Sequence, residues 1–162
     1  MRVKTTCPYC GVGCHLVLHV VNGRVLAVSP GETGPGEGKL CIKGWSAHEF
    51  IHSEDRLTKP LIREGDEFRE ATWGEALDLA AAKLKETQEK FGPDSIGFFS
   101  SAKATNEDNY MLQKLARATF GTNNVDHCAR LCHSSTVTGL VNAFGSGAMT
   151  NSQEDLEESD EI

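Results

Sequence analysis

The residues best suited to chemistry in this sequence are cysteines. Cys7, Cys10 and Cys14 form C-x2-C-x3-C, and Cys41 follows inside Leu40-Cys41-Ile42-Lys43-Gly44. Each iron of a [4Fe–4S] cluster needs one terminal ligand, and closely spaced cysteines on a turning backbone can reach three of the four irons. Cys41 supplies the fourth thiolate. Gly11 and Gly13 predict a tight, partly positive-φ path between the first three ligands, one that can aim backbone N–H groups at the cluster sulfurs. Structural zinc is the rival reading. Zinc ribbons, however, usually present two separated short-spaced pairs instead of a triplet and a distant single cysteine.

A second reactive stretch is Val125-Asp126-His127-Cys128-Ala129-Arg130-Leu131-Cys132-His133, which runs into Ser134-Ser135-Thr136-Val137. Val137, Leu140, Val141 and Phe144 mark a helix ended by Gly145. Cys132 and His133 are thus expected at or just ahead of a helix N-terminus, where the dipole favours thiolate. A thiolate there can ligate a soft or high-valent metal, and the adjacent histidine can accept or relay a proton. The plain alternative is that Cys128 and Cys132 are small packed side chains and His133 a polar cap. His48-Glu49-Phe50-Ile51-His52 matches H-E-x-x-H, the helix-borne zinc pair with its general base. No third ligand is obvious nearby, so this match reads as accidental, a short solvated helix with Phe50 and Ile51 packed inward. His15 and His19 share one face of a strand and read as structural.

These sites need elements to hold them. Residues 15–21 and 24–28 read as strands joined by Asn22-Gly23, a type I′ hairpin signal, so a small antiparallel sheet sits beside the cysteine triplet. The glycine-rich stretch Pro30 to Lys39 lacks the G-K-[ST] ending of a phosphate loop and reads as a surface return to Cys41. An extended segment from Arg56 to Leu61 ends in the charged turn Glu64-Gly65-Asp66-Glu67. Thr72-Trp73-Gly74-Glu75 is a capping box, and Leu77, Ala80, Ala81 and Leu84 continue at helical spacing until Gly92-Pro93. Residues 95–100 read as a buried strand. Thr105-Asn106-Glu107-Asp108 then opens a helix carrying Leu112, Leu115, Ala116 and Phe120 on one face, with Gly121 as its C-cap. Helix, strand, loop and helix in this order begin an α/β layer with a parallel sheet. The loop Ser100 to Thr105, at a strand end, is the place where such layers bind ligands. The expected fold is α/β (α+β overall): a small antiparallel [4Fe–4S] domain at residues 1–55, then an incomplete α/β parallel-sheet domain at 56–162.

With 162 residues, 39% hydrophobic and 24% charged, the chain has the composition of an ordinary water-soluble polypeptide. A net charge of -7 speaks against a nucleic-acid partner gripped by Lys and Arg. No segment reads as a membrane span, and the start of the chain reaches Cys7 without an apolar run. Ligand-spaced cysteines without an export signal favour a reducing, cytoplasmic setting.

Cys7-Pro8-Tyr9-Cys10-Gly11-Val12-Gly13-Cys14, Cys41-Ile42-Lys43-Gly44, residues 101–110 and Val125 to His133 together resemble the catalytic subunit of molybdenum- or tungsten-dependent formate dehydrogenases, with Gly145-Ser146-Gly147-Ala148-Met149 as a fifth match. The resemblance runs essentially end to end. It implies a [4Fe–4S] cluster on Cys7, Cys10, Cys14 and Cys41, and Lys43 between cluster and pterin. It also implies Cys132 as ligand to the molybdenum or tungsten of a bis-molybdopterin guanine dinucleotide, and His133 as its proton-handling neighbour. The implied reaction is the interconversion of formate and carbon dioxide, with electrons leaving through the cluster. Periplasmic nitrate reductases share the cluster motif and the cysteine ligand but typically lack the following histidine, while formylmethanofuran dehydrogenases depart from this cluster motif.

Catalytic subunits of that family are much longer, and the pattern at Gln153 to Ser159, an acidic helix leading towards a strand, breaks off at Ile162. The expectation is therefore an N-terminal portion that needs the remaining domains, in the same subunit or a split partner chain, to hold the whole cofactor. An electron-carrier subunit is the further partner expected. A stand-alone iron–sulfur electron-transfer protein without catalysis is the alternative from another class.

Overall fold

The computed structural model describes residues 1–36, 38–148, 155, 158 and 159. The part of the fifth motif at Met149 and the expected acidic helix over 153–159 lie mainly outside the described residues. The chain divides into two compact units, Met1–Asp126 and His127–Ile162.

The first unit opens with an antiparallel sheet in the order β1 (Arg2–Thr6), β2 (His15–Val21), β3 (Arg24–Pro30). Its register sets Val3 opposite Leu18 and Leu18 opposite Val28. The β2–β3 turn is the expected one: Asn22 and Gly23 both take positive φ, 49° and 77°, the backbone twist that a two-residue hairpin requires. Leu16, 1% exposed, packs with Cys7, Val28 and Ala47 beneath this sheet, and Tyr9, Cys14, Leu18 and Leu40 close around them. The core of this region is therefore built partly from the cysteine loop itself.

The chain returns through the four-residue helix α1 (Ile42–Trp45) and a 3₁₀ turn over Glu49–His52. At three residues per turn, positions four apart do not share a face, so His48 and His52 are not a ligand pair. His52 Nε2 instead accepts a 2.9 Å hydrogen bond from the Val25 N–H. Phe50 does not turn fully inward. It lies against Tyr9, ring centroids 6.2 Å apart, beneath the Arg56 guanidinium.

The extended segment expected before residue 64 becomes a hairpin, β4 (Leu61–Glu64) with β5 (Glu67–Glu70), turning at Gly65. β5 is too charged to read as a strand. Ion pairs hold it in place, with Arg69 bridging Glu64 and Glu75 and Lys59 meeting Glu70. Helix α2 (Trp73–Phe91) starts at Thr72, whose Oγ1 accepts from the Glu75 N–H at 3.2 Å, and ends at Gly92 with φ 85°.

Strand β6 (Phe98–Ser100) is shorter than expected, because a 3₁₀ turn over Pro93–Ser95 takes the start of the stretch. It pairs in parallel with β7 (Val125–His127). Phe98 lies against Phe120 whereas Phe99 is 74% exposed, so the strand is buried on one face only. The crossover between them is α3 (Asn106–Lys114), which widens into a π turn over Leu115–Phe120 and ends at Gly121 in the left-handed conformation. Ala116 and Phe120 are buried and Leu112 half-buried, whereas Leu115, expected on the same face, is exposed. Buried Thr122 donates to Asp94 Oδ1 at 2.7 Å and so ties this crossover to the end of α2.

The second unit contains α4 (Ala129–Cys132) and α5 (Ser134–Phe144), the latter closed by Gly145 at φ 77°. Val137 packs so near Gly147 that a Cβ there would lie 2.7 Å from its Cγ1.

Candidate functional site

The C-x2-C-x3-C stretch leaves β1 and re-enters β2 as a closed loop. Cys7 N–H donates to the Cys14 carbonyl at 2.8 Å and Gly13 N–H to that of Cys10 at 3.3 Å. Gly13 has φ +69°, a left-handed conformation as expected of this path, whereas Gly11 does not take positive φ. Cys7 is buried, Cys10 and Cys14 half-buried and Cys41 exposed. Cys41 stands immediately ahead of α1. Backbone N–H groups of Gly44 and then Lys43 lower its thiol pKa, and the Lys43 charge acts in the same direction.

Burial pushes the Cys7 thiol up, against the pull of the Tyr9 N–H, and the thiols of Cys10, Cys14 and Cys41 push it further. Cys7 is thus near enough to the other three thiols to feel each of them. Four thiols gathered in this way are a poor arrangement as bare thiolates and a good one around a cationic cluster, which removes both the desolvation and the mutual repulsion. Among the described residues no three His, Cys, Asp or Glu side chains are placed to hold a single metal ion. A cubane makes a different demand, because each terminal thiolate meets its own iron. The donor set fits such a cluster.

The glycine-rich return loop lies against this site. Gly36 has φ +93°, and a Cβ on it would come within 2.8 Å of the Lys39 carbonyl and 3.4 Å of Cys14 Sγ. Gly34 lies directly under the His15 ring, which explains that histidine structurally. A residue not read as functional from the sequence also reaches the loop: Asn106 Nδ2, at the start of α3, donates to the Gly11 carbonyl at 2.8 Å. The signals for it were the helix start in which it is embedded and the motif at residues 101–110, neither of which gave it a role.

In the second unit, Cys132 is the last residue of α4 and His133 the N-cap of α5. The pair does stand just ahead of a helix, with the His133 carbonyl accepting from Val137 N–H at 3.0 Å. Cys132 also ends a helical turn, and its own N–H is taken up by the Cys128 carbonyl at 3.2 Å. Both side chains are exposed. His127 Nδ1 accepts from the Ala129 N–H and helps start α4.

Comparison with known proteins assigns these two stretches to one family. Residues 1–53 match the molybdopterin oxidoreductase Fe4S4 domain and residues 56–162 match molybdopterin oxidoreductase. The chain is 58% identical over 159 residues to the F420-dependent formate dehydrogenase subunit alpha of Methanocaldococcus jannaschii, and 57% identical to the alpha subunit of formate dehydrogenase 2 of Methanococcus maripaludis. Each alignment covers 98% of this chain and 23% of the relative. A probable oxidoreductase of Bacillus subtilis is 49% identical over 98% of this chain and 16% of its own length. Acetylene hydratase from Pelobacter acetylenicus shares the fold, with a TM-score of 0.60 and 23% identity over 83% of this chain and 19% of that one. This chain therefore spans about a quarter of the length of its formate dehydrogenase relatives. With a [4Fe–4S] cluster and molybdopterin as the cofactors its two matched segments serve, the chain belongs to the molybdopterin oxidoreductase family, of which it represents an N-terminal portion.

Proposed function

We propose that this chain is the N-terminal part of a formate dehydrogenase catalytic subunit, with its cluster domain at residues 1–55 and the start of its α/β molybdopterin domain at 56–162. The reaction is formate to carbon dioxide with release of two electrons and one proton, or its reverse. The observation that carries the reading is the gathering of Cys10, Cys14 and Cys41 around buried Cys7, whose thiol feels all three, in a chain that also contains Cys132-His133. The redox chemistry at the substrate is supplied, when bound, by molybdenum or tungsten on a bis-molybdopterin guanine dinucleotide, whose remaining contacts come from residues outside this chain.

The chain's own residues have separable tasks. The four cysteines hold the cluster. The Lys43 ammonium, two residues after Cys41 in sequence, would offset the negative charge of the thiolate-ligated cluster and of the pterin. Cys132 supplies a thiolate ligand to the metal, which its exposed position on a helical turn leaves accessible. His133 takes or returns a proton at a ring nitrogen beside that ligand. Exposed Cys41 would bring one corner of the cluster to the surface of this chain, from which electrons would pass to a carrier subunit. Among the described residues no helix is long and apolar enough to cross a membrane, and we assign the protein to the cytoplasm, with the rest of the catalytic subunit and an electron carrier as partners.

Metal analysis combined with low-temperature electron paramagnetic resonance on the anaerobically purified whole protein tests this. The expected result is about four irons for this chain with a reducible cubane signal, together with molybdenum or tungsten and formate-dependent reduction. Iron without either metal limits the function to electron transfer, and zinc without iron overturns the cluster.

A further inference from the structure

Gly11 sits between two proposed cluster ligands, yet its backbone conformation does not require glycine, because its φ is not positive. What crowds the position is a neighbour from far along the chain. A Cβ on Gly11 would lie 2.8 Å from Asn106 Oδ1, while Asn106 Nδ2 donates to the Gly11 carbonyl at 2.8 Å. The carboxamide therefore both grips the loop and occupies the space above it.

Asn106 is itself held firmly. It is the first residue of α3, directly after Thr105, whose Oγ1 accepts from the Asp108 N–H at 3.2 Å while Asp108 Oδ2 accepts from the Thr105 N–H at 3.2 Å. One residue pair further, Asn109 Nδ2 donates to the Thr105 carbonyl at 3.0 Å, and Asn109 Oδ1 accepts from the hydroxyl of Ser100 at the end of β6. Hydrogen bonds from the strand end of the α/β layer to the capped helix start are thus joined, through the Thr105–Asn106 peptide, to a carbonyl between Cys10 and Cys14.

We infer that Asn106 is a positioning residue for the cluster loop, a strut through which the α/β layer fixes the path of residues 10–14. The inference rests on the cluster assignment proposed above. Loop peptide groups around an iron–sulfur cluster tune its potential and shield it, so loosening the strut changes the cluster even though no ligand is altered.

The test uses the whole protein that contains this chain, purified anaerobically, with Asn106→Leu, Gly11→Ala, the double variant, and Glu107→Leu as a control one position along α3. Cluster reduction potential and the rate of bleaching in air are the readouts. Asn106→Leu removes the donor at similar volume, and Gly11→Ala drives the carboxamide off the loop. Each is expected to shift the potential and speed bleaching about tenfold, the lower end of what losing an outer-sphere partner costs a metal site. The double variant should be no worse than either single, since both act through one contact. Glu107→Leu should leave the cluster unchanged. Unaltered potential and bleaching in Asn106→Leu, a multiplicative double variant, or an equal effect from Glu107→Leu would overturn the strut while leaving the cluster in place. Absence of iron from the unsubstituted protein would overturn the cluster assignment as well.

Discussion

The two cysteine stretches of this chain are built in opposite ways. Cys7 to Cys14 is over-determined: its ends are joined by a backbone hydrogen bond, Gly13 takes a left-handed turn, Cys7 is 5% exposed within the core, and Gly11 is gripped from α3. Cys132-His133 is held by local backbone hydrogen bonds within α4 and into α5, and both side chains face solvent. A cluster site must be shaped before its iron arrives, whereas a ligand to a large cofactor can be completed by the cofactor and by residues elsewhere. Under the proposed assignment, the first site is nearly whole within this chain and the second is one contributor to a larger one.

That contrast is sharpest under ligand substitution. Cys10→Ser is expected to remove the cluster, taking iron from about four per chain to a small residue and loosening residues 1–55, as seen by iron analysis and amide exchange. Cys132→Ala is expected to leave the iron content and the cubane signal intact while formate oxidation in the whole protein falls by more than about 100-fold, beyond the usual cost of an outer-sphere change. Loss of the cluster in Cys132→Ala would break the separation of the two sites.

A smaller effect is expected where the return loop meets the first site. Gly36→Ala forces a side chain into a left-handed backbone, at a cost of about 1–2 kcal/mol, and brings it 2.8 Å from the Lys39 carbonyl and 3.4 Å from Cys14 Sγ. Thermal denaturation should show the loss of stability, and the cubane spectrum should change in shape without disappearing. An unchanged spectrum would mean that the loop does not touch the cluster pocket.

What could be read from the sequence follows the range of the interactions involved. The Asn22-Gly23 hairpin, the Thr72 and Thr105 caps and the Gly121 and Gly145 helix ends are local devices, and each is where the pattern put it. The cysteine spacing is equally local. β5 was illegible because it is held by its antiparallel pairing with β4, with exposed ion pairs to Lys59, Glu64 and Glu75 beside it, and not by an apolar face. The 3₁₀ form of Glu49–His52, which separates the histidines of H-E-x-x-H, depends on packing against Tyr9 and Val25. Asn106 lies 95 residues from Gly11, and no periodicity connects a helix start with a loop that distant.

The same distinction predicts the smallest effect, at the start of α2, where a local cap and a nonlocal ion pair meet on one residue. Thr72 Oγ1 accepts from the Glu75 N–H, and the Glu75 carboxylate is engaged by Arg69, whose guanidinium holds it below the usual carboxylate pKa. Thr72→Ala should weaken the first turn by about 1 kcal/mol at any pH, because the bond it removes, from the Glu75 N–H to Thr72 Oγ1, involves no titrating group. Arg69→Met should act differently. A carboxyl with a depressed folded-state pKa stabilises the fold above its ordinary pKa, and that contribution is lost as pH falls through the lowered value. The Arg69→Met defect is therefore expected to be small at neutral pH, as befits an exposed pair, and to vanish in acid, where the unsubstituted chain has lost the same interaction. Amide exchange at residues 73–76, followed from neutral to acidic pH, separates the two variants. Parallel pH dependence in both would show that the cap and the ion pair are one coupled device, and an altered cubane signal in either would show that α2 is not independent of the cluster loop.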